Sequence, residues 1–387
     1  MAACPCPKDF LSKTQWFLVP QAAFGYWKGA IAGAGVADPH PPPAQPRSTK
    51  ETVMNQSIRV TFAALSLATA MMASGARAQE ADELVVYNAQ HEALGNAWIE
   101  AFTKETGIKV VVRKGSDMQL ANLILEEGDL SPADIFLTEN SPAMVLLDES
   151  GRFAPVDKET LDQVPAEYRP ADGMWTGIAA RSTVFAYDKT KLTEDKLPKS
   201  MMDLADPAWK GRWGASPAGA DFQAIVGALL QLKGEEATAG WLKAMKENAT
   251  PYKGNSVAMK AVNAGEIEGA VIYHYYWFGD QAKTGENSNN VALHYFKNQD
   301  PGAFVSISGG GVLKSGKHQK EAQAFLKWIT GKGGQAILRD GTSYEYAIAG
   351  ESNPKLVPLK DLDAPKVEAS TLDNKKVVEL MTAAGLF

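Results

Sequence analysis

The amino-acid sequence predicts an α/β protein of two lobes joined by two crossing strands, and three observations predict it. Strand-like and helical runs alternate with short connections, the pattern of a parallel sheet covered by helices. Two extended runs, IAARSTVFAY (178–187) and FVSISGGGVLK (304–314), are longer than the other strands and fall well apart in the chain. The patterned region is also long enough for two cores, each of about 100–200 residues.

The front of the chain stands outside this pattern. From Met54 the sequence runs MNQSIRVTFAALSLATAMMASGARA, with Arg59 before a mostly apolar stretch and Ala76-Arg77-Ala78 as a small-x-small cleavage site. That is a secretory signal peptide over 54–78, and its apolar run is shorter than the roughly 20 residues of a membrane span. Residues 1–53, with HPPPAQP at 40–46 and no periodicity, are expected to be a mis-assigned start or an upstream extension. Removing 78 residues from 387 leaves 309, and both cysteines (Cys4 and Cys6) go with the front. Disulfides and thiolate chemistry are thereby excluded from the exported protein. Seven of the 39 basic and three of the 45 acidic residues lie before Gln79, so the remainder carries a net charge of −10 with His neutral. Such a balance argues against nucleic acid or anionic membrane as partner.

Along the exported part, ELVVYN (83–88) is a β-rich run, and residues 94–106 have helical spacing closed by Gly107. IKVVVRK (108–114) is a second strand, DMQLANLILEE (117–127) an amphipathic helix and ADIFLTE (133–139) a third strand. The run at 178–187 is the first crossing. Helices follow near 220–232 and 238–247, then the strand GAVIYH (269–274), the second crossing and the helix HQKEAQAFLKWIT (318–330). This order places lobe 1 at 79–180, with 305–350 returning to it, and lobe 2 at 181–304, with 351–387 packing on it. In such sheets ligands collect at the carboxyl ends of strands, where His91 and Glu139 both lie.

Several catalytic patterns fail. GVLKSGKH (311–318) departs from the phosphate-loop motif at His318, which lacks the hydroxyl that holds Mg²⁺. SISGG lacks the first glycine of a nucleophile elbow. His91-Glu92 has no second histidine at zinc spacing, and only His91, His274, His294 and His318 remain in the exported part.

YHYYWF (273–278) is the remaining chemical feature. On a regular strand Tyr275 and Tyr276 would face opposite sides. Either one packs in the core, or the strand ends near His274 and the pair sits in a loop or a first helical turn. Aromatic faces stack on sugars or cations, whereas phenolate oxygens with a carboxylate and one imidazole suit a hard ion such as Fe³⁺. Only a strong Lewis acid removes phenol protons near neutral pH, since free phenols titrate near pH 10.

YNAQH (87–91), ADIFLTEN (133–140), YKGNSVAMKAV (252–262), YYW (275–277) and QDPGAFVSISG (299–309) together resemble the bacterial periplasmic ferric-ion-binding proteins, over essentially the whole exported chain. These are substrate-binding components of iron(III) ABC importers. The resemblance implies a periplasmic binding protein of the class II type, with transferrin-like lobes and no enzymatic activity. It implies Fe³⁺ as cargo, held by His91 and Glu139 from lobe 1 and Tyr275 and Tyr276 from lobe 2, with a synergistic anion such as phosphate or carbonate. It also implies a monomer that meets an inner-membrane permease and its ATPase.

The family motif assigns the anion to Asn140, Ala218, Gly219, Ala220 and Asn255. Within SPAGADF (216–222), however, Ala218 replaces a customary hydroxyl residue, and Tyr273 or His274 stands where an asparagine is usual. Arg181 is a further candidate, facing either the anion or a cleft carboxylate. Tyr273 and Trp277 read as core or cleft wall, His274 as packing or an indirect neighbour of the site, and His294 and His318 as surface or edge residues. The competing readings are an importer component that stacks a polyamine, thiamine or sugar on the aromatics, and a metal-dependent hydrolase.

Overall fold

The computed structural model describes residues 83–387, so the expected signal peptide and everything before it lie outside the described residues. In chain order the elements are β1 (Leu84–Asn88), α1 (Glu92–Thr106), β2 (Val110–Lys114), α2 (Asp117–Glu127), β3 (Ile135–Leu137), α3 (Pro142–Glu149) and α4 (Lys158–Leu161). Then come β4 (Thr176–Asp188), β5 (Trp213–Ala215), α5 (Ala220–Asn248), β6 (Ala249–Pro251), α6 (Asn255–Asn263), β7 (Gly269–Tyr273), α7 (Tyr275–Lys283) and β8 (Val291–His294). The last elements are β9 (Val305–Val312), α8 (Gln319–Thr330), α9 (Lys332–Asp340) and α10 (Asn374–Ala383).

Local chemistry accounts for the main boundaries. Leu94, Trp98 and Phe102 put one apolar stripe of α1 into the core, and Gly107 ends the helix in the left-handed region with φ 75°. Ser116 and Gln119 form a capping box that starts α2. The two helices expected after β5 are one run, 220–248, broken by non-helical Gly234 (φ 80°). The three consecutive glycines of β9 are there for packing. A Cβ on Gly309 would lie 2.3 Å from Met144 Cγ, and one on Gly311 2.6 Å from Phe153 Cε1. GVLKSGKH thus begins inside a buried strand, and His318 pairs with the buried Asp134 through Nδ1 at 3.0 Å.

Among the described residues all nine strands belong to one sheet in the order β2-β1-β3-β9-β4-β7-β5-β6, with β8 paired to β4. β1 is parallel to both β2 and β3, and β5 is parallel to β6 and β7. The join between these two parallel groups is antiparallel. The first half of β4 pairs with β9 through Ser182↔Val305, and from Thr183↔Tyr273 onward it pairs with β7. Side chains alternate across each half, so helices cover both faces. Leu84, Val86, Ile135 and Leu137 pack beneath α1 and α8, while Tyr87 and Phe136 meet α2 and α3. In the other half Phe185, Val271 and Tyr273 face α5, while Val184, Ala270 and Ile272 face α6. Leu356, Leu362, Leu372, Val377 and Met381 of the C-terminal segment join the α5 core. Among the described residues no helix is long and apolar enough to cross a membrane.

At the end of α3, burial and the neighbouring Asp172 carboxylate push Asp148 up to about 6. Its folded value exceeds the ordinary ~3.9 of an unfolded chain, so the stabilisation relative to the ionised state is complete below pH ~4 and lost as pH rises through about 6. Asp148→Asn should therefore raise Tm by about 1–2 °C at pH 8 and leave it unchanged at pH 4, as read by calorimetry, with partial exposure keeping the effect small.

Candidate metal centre

Five strand-to-helix junctions aim at one point. β1 ends at Asn88 and His91 is the N-cap of α1; β3 ends at Leu137, two residues before Glu139. β5 leads to Asp221 in the first turn of α5, β6 to Asn255 at the start of α6, and β7 to the tyrosine pair. The strand of YHYYWF ends at Tyr273, His274 is the N-cap, and Tyr275 and Tyr276 open α7. The pair thus occupies a first helical turn, the second of the two arrangements that strand geometry allowed.

The four expected donors come together across the cleft. His91 Nε2 is 3.1 Å from Glu139 Oε1. The His91 ring meets the Tyr275 ring edge-on, with centroids 4.9 Å apart, and the two tyrosine rings lie at 4.3 Å. Both phenols donate to the same oxygen, Asp221 Oδ2, at 3.2 Å from Tyr275 and 3.1 Å from Tyr276. Among the described residues no group of three or more His, Cys, Asp and Glu is arranged to hold a metal, so a metal reading depends on the phenols.

Asp221 is the residue that sequence reasoning passed over, although SPAGADF displays it. Asn140 Nδ2 donates to its Oδ1 at 2.9 Å and Asn255 Nδ2 to its Oδ2 at 2.7 Å. Two of the side chains expected to hold an exogenous anion therefore hold a carboxylate of the chain itself. Gly219 is the N-cap of α5, and its N–H is donated to the Ser216 carbonyl at 3.0 Å; Ala218 is exposed. Of the expected anion set, the first-turn N–H of Ala220 keeps the orientation a helix N-terminus gives it. An acidic residue in a first helical turn after a strand was the available signal.

Arg181 faces a carboxylate rather than an anion site. It is fully buried and bonds to Glu345, to the Glu139 carbonyl oxygen and, at 3.3 Å, to Gln90 Oε1. Its guanidinium also lies 5.5 Å from the Tyr275 ring centroid. Glu345, from the loop after α9, carried no sequence signal; only folding brings it beneath His91. Asp117 likewise escaped notice, and accepts the backbone N–H groups of Glu139 and Asn140 at 2.9 and 3.0 Å.

The remaining aromatics of YHYYWF are committed to other partners. His274 is buried, accepts the Ser182 N–H at Nδ1 (3.1 Å) and donates from Nε2 to the Tyr344 carbonyl (2.7 Å). Burial brings it down to about 4, so it is neutral. The Tyr273 hydroxyl is spent on Asn140 Oδ1 and the Asp221 carbonyl, both at 3.3 Å. Trp277 donates to Val291, and Phe278 stacks on Tyr344.

Electrostatics match a site made for a cation. Burial, then the Asp221 charge, raise both Tyr275 and Tyr276 well above the usual phenol range. Burial also pushes Glu139 up to about 7, with His91 opposing and Asp221 adding to the rise. Burial alone would lower His91, but the Glu345 hydrogen bond and charge outweigh it and raise the imidazole. Burial would raise Glu345, yet Arg181 and His91 hold it down to about 2.

This fold and this arrangement at the strand ends define a two-lobed bacterial solute-binding protein. Residues 131–368 match the family model described as bacterial extracellular solute-binding protein. Over 326 residues the chain is 66% identical to the Fe(3+)-binding periplasmic protein of Serratia marcescens, covering 84% of this chain and 96% of that one. It is 37% identical to the major ferric iron-binding protein of Neisseria meningitidis serogroup B, over 86% of this chain and all of that one. Iron-bound HitA from Pseudomonas aeruginosa superimposes with a TM-score of 0.75 at 43% identity, covering 78% and 99% of the two chains. The chain belongs to the periplasmic ferric-ion-binding family, a family of binding proteins rather than enzymes.

Removing Arg181 should leave Glu345 as an uncompensated buried charge. Arg181→Met is expected to lower unfolding stability in urea by about 3–5 kcal/mol, with much of the loss returned when Glu345→Gln is added.

Proposed function

We propose that this chain, exported by the 54–78 signal peptide, carries ferric iron in the periplasm as a monomer and delivers it to an inner-membrane ABC permease driven by its ATPase. The observation that carries the reading is the convergence of both phenol oxygens on one carboxylate oxygen beside His91 and Glu139. Iron named in the Serratia, Neisseria and Pseudomonas relatives supports it. The lobes are taken as 79–180 with 305–350, and 181–304 with 351–387, so His91 and Glu139 belong to one and the tyrosines to the other. Metal that gains donors only when the lobes meet binds the shut state more tightly and so favours it.

In this reading Fe³⁺ replaces the phenol protons, and Tyr275 and Tyr276 bind it as phenolates alongside Glu139, neutral His91 and Asp221. Two phenolates and two carboxylates already carry four negative charges against three positive. Asp221 thus supplies the charge that the family resemblance assigns to phosphate or carbonate. An organic ligand stacked on the aromatics is disfavoured, because Tyr273, Trp277 and Phe278 are committed elsewhere.

Adding Fe³⁺ to the metal-free protein should produce a visible phenolate-to-iron band, weakened in Tyr275→Phe or Tyr276→Phe and abolished in the double variant. A wild-type protein that stays colourless and retains no iron overturns the reading. The wild type should also hold iron in buffer stripped of phosphate and carbonate, whereas Asp221→Ala should require one of them. A wild type that itself requires the added anion would return that role to an exogenous ligand.

A further inference from the structure

We propose that Glu345 is a positioning residue for iron binding, fixing the His91 ring so that Nε2 faces the metal. This rests on the iron-binding reading above. His91 presents Nδ1 to Glu345 Oε1 at 3.2 Å and Nε2 to Glu139 Oε1 at 3.1 Å. A carboxylate accepts and cannot donate, so Glu345 fixes a proton on Nδ1, and Nε2, which faces Glu139, is the nitrogen left to meet the cation once any proton it shares with Glu139 is displaced. A carboxylate behind a ligating imidazole also raises its basicity.

Glu345 can do this because its own position is over-determined. It is fully buried, and its second oxygen bonds to Arg181 and, at 3.3 Å, to Gln90 Nε2. Gln90 in turn donates to Ser308 Oγ at 3.0 Å and accepts the His91 backbone N–H at 2.7 Å. Arg181 reaches past Glu345 to the Glu139 carbonyl oxygen. Within this ion pair Glu345 holds the His91 ring, while Arg181 holds the Glu139 backbone. Both crossing strands take part, Arg181 on β4 and Ser308 on β9.

Glu345→Gln gives a sharp test. Arg181 requires an acceptor, so the substituted amide turns its oxygen to Arg181 and its NH₂ to His91 Nδ1. The ring proton then moves to Nε2, the nitrogen that should bind iron. ¹⁵N NMR of the metal-free protein should show Nδ1 of His91 protonated in the wild type and unprotonated in Glu345→Gln, with the ring proton of the variant on Nε2. Iron retention against a competing chelator should fall by roughly 10–100-fold. In a His91→Ala background the same substitution should change retention no further, because a residue acting only through His91 has nothing left to position. Should Glu345→Gln fail to fold, Glu345→Asp keeps the charge beside Arg181 but withdraws it from Nδ1, and should show the same dependence on His91.

An Nδ1 proton that persists in Glu345→Gln overturns the proposal, as does an equal loss of iron with and without His91. Those outcomes leave the visible band of the wild type intact. They are thereby distinct from failure of the iron reading itself, in which the wild type gives no band.

Discussion

The antiparallel crossing of β4 and β9 is the constraint on which the site depends. β4 serves both halves of the sheet while β9 links it to β3, and side chains of both, together with Asp117, hold the Glu139–Asn140 loop. Arg181 on β4 reaches the Glu139 carbonyl, Ser306 on β9 donates to Asn140 Oδ1 at 2.7 Å, and Ser308 donates to the Glu139 carbonyl at 3.1 Å. His274, one residue before the tyrosine pair, is tied to Ser182 at the point where β4 changes partners. Any rotation about the crossing must move His91 and Glu139 against Tyr275 and Tyr276. Cleft geometry and hinge geometry are one variable.

The charge distribution follows from that geometry. Glu139, Asp221, Glu345 and Asp117 are gathered near one fully buried arginine. Bringing carboxylates together away from water is costly unless each finds donors or a counter-charge. Glu345 is provided for by Arg181, whereas Asp117 accepts two backbone N–H groups and is still pushed up to about 8 by burial and the Glu139 charge. Glu139 and Asp221 lean on His91, the phenols and two amides, partners that a metal can replace. The unfavourable electrostatics thus fall on Asp117 behind the Glu139 loop and on the groups that would touch the cation, where a trivalent charge offsets them best.

Much of the architecture was legible because hydrophobic period and capping agree. The α2 boundaries follow from its capping box and stripe, and β4 and β9 were visible as long extended runs. Where the reading fell short, the deciding contacts join residues far apart in sequence. Glu345 lies 254 positions from His91, and nothing in SYEYA marks it as buried beneath an imidazole. The α5 break was placed by helical period as a gap between helices, whereas Gly234 turns the chain within one run. At the cleft, the four residues proposed to bind the metal stood out because their residue types are chemically conspicuous. Asp221 was not, since an acidic residue opening a helix usually serves only the helix dipole.

The two tyrosines show why helix ends make such sites. Neighbouring residues in mid-helix diverge by a large angle and do not share a ligand, and on a strand they face opposite sides. At a first turn, however, side chains lean towards the N-terminus, so adjacent rings can run past the end of the helix side by side. Tyr275 and Tyr276 do this, with their rings inclined by 32° and both hydroxyls on Asp221 Oδ2. The N-terminus of α7 also presents partial positive charge to phenolates, as that of α5 does to Asp221. A strand that ran on through Tyr276 would have sent the two phenols to opposite faces of the sheet, so the end of β7 at Tyr273 is itself part of the iron chemistry proposed for the pair.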